Sequence, residues 1–385
     1  MRPKRFTHAL CAIFATIAIA TTGIAETHVG GLASFVFKNA NKTDFTNVTY
    51  RGWSNFNTTR FRLFVDGEVA ENVTVFTQGT MENGLFALVG AYARFNKISG
   101  PNTGLQVGMM PSPVGSFAPR TYADVNPLIG SPLMYIHRSS YAPGSVDSSR
   151  TIDEFLELRE DRYPGGMVTI HDPYWNTGAE FFGTTGKATY SFGAIVGAVS
   201  APTIQGAQKK NTPQFTTRWT YAFSPGAIVG FSGYFGPYLA KNSYNDALPS
   251  GKGPADYMNG GICYELYTAR GYFELYSEGV HAWWETPYFS TLRLNTGYAE
   301  LKYTFTPGWY LAGRFDIYEP EKVTLSDYSS EPWDYPLKRY ECGVGYKPNR
   351  HTVIKLAGQF NRFEGDGASQ FNNDLIALQT TLRFE

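Results

Sequence analysis

Guanidinium groups and carboxylates crowd one long stretch of this chain. Residues 111–163 carry Arg120, Arg138, Arg150, Arg159 and Arg162 beside Asp124, Asp147, Asp153, Glu154, Glu157, Glu160 and Asp161. Opposed charges at this density suit a transverse field that sorts passing ions, and they equally suit a loop whose charges face water. Ser149 to Arg162 has helical spacing, with Ile152, Phe155, Leu156 and Leu158 as its apolar side. A second set lies outside the stretch: Arg60, Arg62, Arg94, Arg218, Arg293, Arg314, Arg339, Lys302, Lys355 and Arg383, against Glu180, Glu265, Glu274, Glu300, Asp316 and Glu341. Arg60 and Arg62 stand two apart, which on a strand points both to one side. Rings of Arg and Lys favour anions, so this set predicts a slight anion preference, unless half of the cations pair with the acids and cancel. The residues expected to line or narrow a passage are therefore Arg60, Arg62, Arg94, Arg120, Arg138, Arg150, Arg159, Arg162, Asp153, Glu154, Arg218 and Arg314.

Bond-making chemistry finds less to hold. The histidines past residue 25 are His28, His137, His171, His281 and His351, and none forms an H-E-x-x-H metal pair. Neither a G-x-S-x-G elbow nor a phosphate-cradling glycine loop occurs. Ser145 with His171 and Asp172 could serve a hydrolase only if the fold assembled them, since a triad is a matter of geometry. No catalytic group, metal site or cofactor is expected.

The elements that must position these charges are strands. The chain has 385 residues, 33 basic and 33 acidic, and its charged share of 17% is low against about 25% in soluble domains. Net charge zero gives no basis for nucleic-acid binding, and 43% hydrophobic with 16% aromatic content excludes disorder. Arg2, Lys4 and Arg5, an apolar run from Ala9 to Ala20, and the small residues Gly23-Ile24-Ala25 predict a cleaved export signal over residues 1–25. Its removal takes three positive charges and leaves 30 basic against 33 acidic residues, a net of −3, in a single unit spanning 26–385. Past the signal no apolar run of about 18 residues remains, so a membrane location must use strands.

Period-two alternation recurs along the whole remainder. Ile376, Leu378, Thr380, Leu382 and Phe384 alternate with Ala377, Gln379, Thr381 and Arg383, and the same pattern holds around Trp219, Leu301 and Leu311. Ser224-Pro225-Gly226, Thr306-Pro307-Gly308 and Ala269-Arg270-Gly271 read as tight reversals, because Pro presets a turn's first corner and Gly accepts positive φ at the next. Long polar stretches at 200–213, 237–257, 319–337 and 362–372 lie at the other strand ends, so short turns and long loops are expected to alternate strictly. The count is sixteen strands: 28–37, 58–67, 73–80, 87–95, 103–110, 176–183, 188–199, 214–223, 227–236, 258–268, 272–281, 293–305, 309–318, 338–346, 351–361 and 373–384. A soluble sandwich would alternate too, but Trp219, Tyr221, Phe223, Trp309, Tyr310 and Tyr346 cluster beside turns, as an interfacial aromatic girdle requires. The expected fold is an all-β transmembrane antiparallel barrel in outer-membrane lipid. Cys263 falls with the polar set and Cys342 with the apolar set, so the two face opposite sides and stay free thiols. Trp283-Trp284-Glu285 and Trp333-Asp334-Tyr335 fall in loops and read as girdle residues, or as platforms for sugar rings.

The closing Leu378-Gln379-Thr380-Thr381-Leu382-Arg383-Phe384 resembles the last strand of Gram-negative outer-membrane proteins, although Glu385 follows the aromatic that normally ends it. Leu105 to Gly115, running into Arg120 and Asn126-Pro127-Leu128-Ile129-Gly130, resembles the strand leading to the third loop in porins of the porin O/P, phosphate-selective type. The match rests mainly on residues 60–138, and no ladder of arginines is present to carry phosphate selectivity over. The resemblance implies a passive channel for small hydrophilic solutes or anions, a homotrimer, and a long loop at 111–163 folded into the lumen. A plugged barrel that binds partners through its loops is the alternative.

Overall fold

The computed structural model describes residues 26–42, 45–49, 52–82, 84–111, 113–142, 149–171, 175–200, 213–239 and 248–385. The signal segment 1–25 and Ser145 lie outside the described residues. The strands are β1 (Thr27–Ala40), β2 (Thr59–Ala70), β3 (Val73–Glu82), β4 (Leu85–Asn96), β5 (Thr103–Pro111), β6 (Trp175–Thr185), β7 (Ala188–Val196), β8 (Gln214–Ser224), β9 (Ala227–Pro237), β10 (Met258–Arg270), β11 (Phe273–Trp284), β12 (Leu292–Thr306), β13 (Trp309–Pro320), β14 (Lys322–Thr324), β15 (Ser330–Pro332), β16 (Leu337–Asn349), β17 (Thr352–Phe363) and β18 (Asp374–Phe384). All but β14 and β15 join one closed antiparallel barrel, in which β1 pairs with both β18 and β2. The sixteen barrel strands are the sixteen read from the sequence, displaced at their ends by up to three residues. The hairpin β14–β15 stands apart inside the 319–337 loop.

Alternation decides which side each residue faces. Phe35, Phe37, Phe192, Phe215, Trp219, Phe231, Tyr264, Leu301, Leu311 and Leu382 are exposed on the outside, while Ser34, Gln106, Glu180, Thr216, Glu300, Arg314, Glu341 and Gln379 are buried inside. A soluble sandwich would invert this, and a barrel in lipid requires it. Outward aromatic pairs gather at the turn ends: Trp309 stacks on Tyr346 at 4.3 Å and Phe273 on Tyr303 at 4.5 Å. At the reversals Gly226 (φ 89°) and Gly308 (φ 82°) occupy the left-handed region that only glycine enters at no cost. Cys263 is buried inside and Cys342 is exposed outside, both free.

Three expectations need correction. Turns and long loops do not alternate strictly, because only residues 83–84 join β3 to β4 on the long-loop side. Arg293 faces outward and is exposed, flanked by inward Leu292 and Leu294. At this rim the outer face leaves the lipid, so polarity no longer reports the side. Trp284 and Trp333 are 2% and 0% exposed and meet edge-to-face at 6.1 Å. They form neither a girdle nor an accessible sugar platform, but the core of a cap that the loops build.

Candidate functional site

Residues 113–142 follow β5, and their backbone meets inward side chains from around the barrel. On β11, Glu278 accepts from Ser116 N at 2.8 Å and from the Tyr135 hydroxyl. On β13, Asp316 accepts from Leu133 N at 2.9 Å. Glu341 on β16 accepts from Gly130 N at 2.8 Å and Ile129 N at 3.2 Å. Cations take the carbonyls: Lys355 on β17 donates to Asn126 O at 2.7 Å and Leu128 O at 3.1 Å, and Arg339 donates to Ser131 O at 3.4 Å. Apart from the short helices Ala118–Arg120 and Leu133–Ile136, the segment's backbone groups have no regular structure to pair them, and charged wall residues supply partners.

The wall charges also satisfy one another. Arg314 is fully buried and pairs with Glu341 at 2.6 Å, Asp316 at 3.1 Å and Glu300 at 3.2 Å, and Glu300 takes Arg120 from the segment on its other side. One guanidinium thus holds three carboxylates that would otherwise repel each other, and all three hold the segment, Asp316 and Glu341 through its backbone and Glu300 through Arg120. Arg120 also lies over the Tyr276 ring at 3.4 Å.

The other expected residues scatter. Arg60 pairs with Glu82 at 2.5 Å, and Arg62 reaches Thr121 O at 3.4 Å and lies over Tyr122. Arg218 makes a two-pronged pair with Glu265, both contacts 2.9 Å, and keeps 34% of its side chain exposed. Arg94 bonds Gln106 at 3.1 Å and is half-buried. Arg138 caps Gly165 O and Gly166 O within its own loop. Thr151 caps the helix α1 (Ile152–Glu157), which α2 (Arg159–Arg162) follows; Ile152, Phe155 and Leu156 are buried, whereas Leu158 is exposed, contrary to expectation. These short helices meet neighbouring loops. Arg150 lies over Tyr288, Arg159 donates to Pro332 O at 2.8 Å, and Asp153 accepts from Ser326, whose hydrogen bonds hold its carboxyl below the usual range. Glu154 accepts from Arg150 N at 2.6 Å, and the Arg162 side chain lies outside what is described.

Reading the sequence alone missed Glu82, Glu278, Tyr298 and Asp334. Glu278 shares the parity of Glu274, so alternation could have found it. Glu82 falls two residues past the expected end of its strand. Asp334 has no such signal: it is buried in the cap, accepting from Tyr335 N, Tyr318 Oη and Ser140 N, and burial pushes its carboxyl up to about 6. Beside it the fully buried His137 is held neutral, its value lowered to about 3 by burial and by Arg339.

Two further spaces open near the turn ends. One, of about 330 Å³, is bordered by Arg120, Lys302, Lys347, Arg350 and Arg383 against Glu274 and Asp124. Another, of about 140 Å³, lies against the β2–β4 wall.

The chain matches no protein-family model and no curated protein sequence. Solved structures do resemble it. An anion-selective porin from Comamonas acidovorans superposes with a TM-score of 0.59 at 11% identity, over 94% of this chain and 100% of the other. Salmonella typhi OmpF in complex with daunomycin gives 0.58 at 11% identity over 93% and 97%, and the outer membrane channel DcaP of Acinetobacter baumannii gives 0.56 at 14% over 94% and 97%. At such identities the likeness is one of fold. The closed sixteen-strand barrel with its apolar outer face belongs to the bacterial outer membrane.

Proposed function

We propose that the protein is a porin: a passive, water-filled channel for small hydrophilic solutes, with a weak anion preference and a constriction made by residues 111–163 folded into the lumen. The observation that carries this reading is the closed barrel whose inward charges grip the 113–142 backbone at many points. A loop fixed to the wall narrows a passage to a set width, and selectivity then follows from the charges left accessible. Arg94 and Arg218 keep contact with solvent, whereas Arg314 has none. The turn-side space adds five cations against two acids on its border, which supports an anion preference. Kinship with porins of the O/P type, a homotrimeric assembly and export by residues 1–25 complete the proposal. Catalysis has no part in it.

A plugged barrel acting through its loops is favoured by one observation, the apolar cap of Phe155, Trp284, Trp333 and Tyr335. Planar-bilayer conductance of the refolded protein, with reversal potential under a salt gradient, separates the two readings. Stable conductance steps with an anion-leaning reversal potential are expected. A correctly folded barrel that does not conduct overturns the channel and leaves the plug.

A further inference from the structure

Inward positions in a water-filled barrel are polar, and part of this wall departs from that rule. Phe64 on β2, Phe76 on β3, Tyr92 on β4 and Phe182 on β6 share the inward parity of Arg62, Gln78, Arg94 and Glu180. Their rings are half-buried and so remain in reach of solvent. Phe76 and Tyr92 stack at 4.9 Å with planes 14° apart, and Tyr122 from the loop meets Phe64 edge-on at 5.4 Å. Trp175 leans on Tyr92 at 6.1 Å, and Gly90 makes its room, since a Cβ there would lie 2.5 Å from the indole. Phe64, Phe76, Tyr92, Tyr122 and Trp175 together border the space of about 140 Å³.

Two polar groups border the same space. Asp66 makes no hydrogen bond or ion pair among the described residues, so its carboxylate is free to accept. Gln78 accepts from the Tyr122 hydroxyl at 2.8 Å through Oε1, which leaves its NH₂ to donate. Clustered rings that stay half-buried, with one acceptor and one donor beside them, match a pyranose, whose C–H groups pack on aromatic rings while its rim hydroxyls both give and take hydrogen bonds. An anionic aromatic also fits the rings, attracted by Arg94 over Phe76 at 5.3 Å and Arg62 over Tyr122 at 5.0 Å and repelled by Asp66, and the test separates it from a sugar.

We propose that the Phe64, Phe76 and Tyr92 rings, with Asp66 and Gln78, form a binding site for the ring of a neutral sugar on the turn side of the constriction. This deepens the channel reading, which supplies the sugar's route. Glucose and maltose, added to the turn side, should reduce salt current in planar bilayers, with half-blocking concentrations in the millimolar range. Y92A and F76A should raise those concentrations about tenfold or more while leaving salt conductance at least as large, and D66N should raise them by less. Heat-modifiable migration on gels identifies variants that have lost the barrel. Absence of sugar block in a conducting wild-type channel overturns the site and spares the channel. Equal or stronger block by benzoate, or a block unchanged in Y92A and F76A, also overturns it. Should the barrel not conduct, calorimetric titration with maltose decides: heat that disappears in Y92A supports the site, and no heat overturns it.

Discussion

The two sides of this barrel treat charge differently. On β12 to β17 a set of inward ionic groups is sealed: Arg314, Glu300, Asp316, Arg339, Glu341 and Lys355 are each at most 3% exposed, and their bonds run to one another, to the 113–142 segment and to Asn361, Gln359 and Thr46, whereas Glu274 and Lys302 nearer the turns stay partly in solvent. On β2 to β9 the inward groups are mixed. Arg62, Glu82 and Glu180 are buried, but Arg94 and Arg218 stay partly in solvent, Asp66 makes no hydrogen bond or ion pair among the described residues, and aromatic rings stand where polar groups are expected. A charge inside a barrel can therefore fix a loop or meet a solute, and burial decides which. Counting inward arginines cannot separate these roles.

Breaking the sealed side should have the largest effect. Arg314→Ala leaves Glu300, Asp316 and Glu341 buried without their common cation. Removing one partner of a buried ionic cluster costs about 3–5 kcal/mol, so urea unfolding in detergent should shift to markedly lower concentration, and bilayer current should become larger and noisier as the segment comes loose. An unchanged midpoint would show that the cluster does not hold the segment. The cap gives the next effect. The Asp334 carboxyl keeps its proton up to about pH 6 when folded but only to about 3.8 when unfolded. The folded state then binds more protons in that window, so stability falls as pH rises from about 4 to 6, by up to about 3 kcal/mol. Asp334→Asn should flatten that profile, and a profile unaltered by the substitution would assign the pH dependence to another group.

Much of the frame was legible in the residues because a lipid-facing wall imposes period two, and period two survives without knowledge of partners. The strands around Trp219, Leu301 and Ile376 show it, and the reversals at Gly226 and Gly308 punctuate it. Arg293 shows where that rule stops: at the rim the outer face is wet while inward Leu292 and Leu294 pack in the apolar cap, so polarity no longer marks the lumen side. The site was less legible because the pairing of Arg314 with Glu300 and Glu341 runs across strands and depends on register, and only Asp316 lies two residues on along the same strand. Trp333 and Asp334 were beyond reach for a related reason, since their burial depends on how distant loops meet over the barrel mouth. Density of charge in 149–163 pointed to a constriction, yet the described contacts of Asp153 and Arg159 run to Ser326, Glu331 and Pro332 in another loop.

Lys355→Met sharpens the contrast at a single contact. The ammonium supplies hydrogen bonds to Asn126 O and Leu128 O, and the methionine stem fills similar space without donating. Losing charged hydrogen bonds of this kind costs about 2 kcal/mol, less than losing Arg314 because no carboxylates are left uncompensated. The unfolding midpoint should fall by a smaller step, with conductance rising modestly. A shift as large as that of Arg314→Ala would make Lys355, not the carboxylate cluster, the main fastening.

The smallest effect belongs to the looser side, and it tests whether accessible charge sets selectivity. Arg218 is paired with Glu265 through two contacts of 2.9 Å but keeps a third of its side chain exposed, and Arg94 bonds only the neutral Gln106 while lying over Phe76 and Phe182. Arg94 has no carboxylate partner, so Arg94→Gln should leave the unfolding midpoint nearly unchanged; Arg218→Gln keeps an amide that can donate to the buried Glu265 but removes its cation, so its midpoint should fall by less than that of Arg314→Ala. Each removes a positive charge that a passing ion can feel, so the reversal potential under a salt gradient should move toward cations. If both substitutions left the reversal potential in place while Lys347→Gln in the turn-side space moved it, selectivity would reside at that mouth and not along the β4–β9 wall.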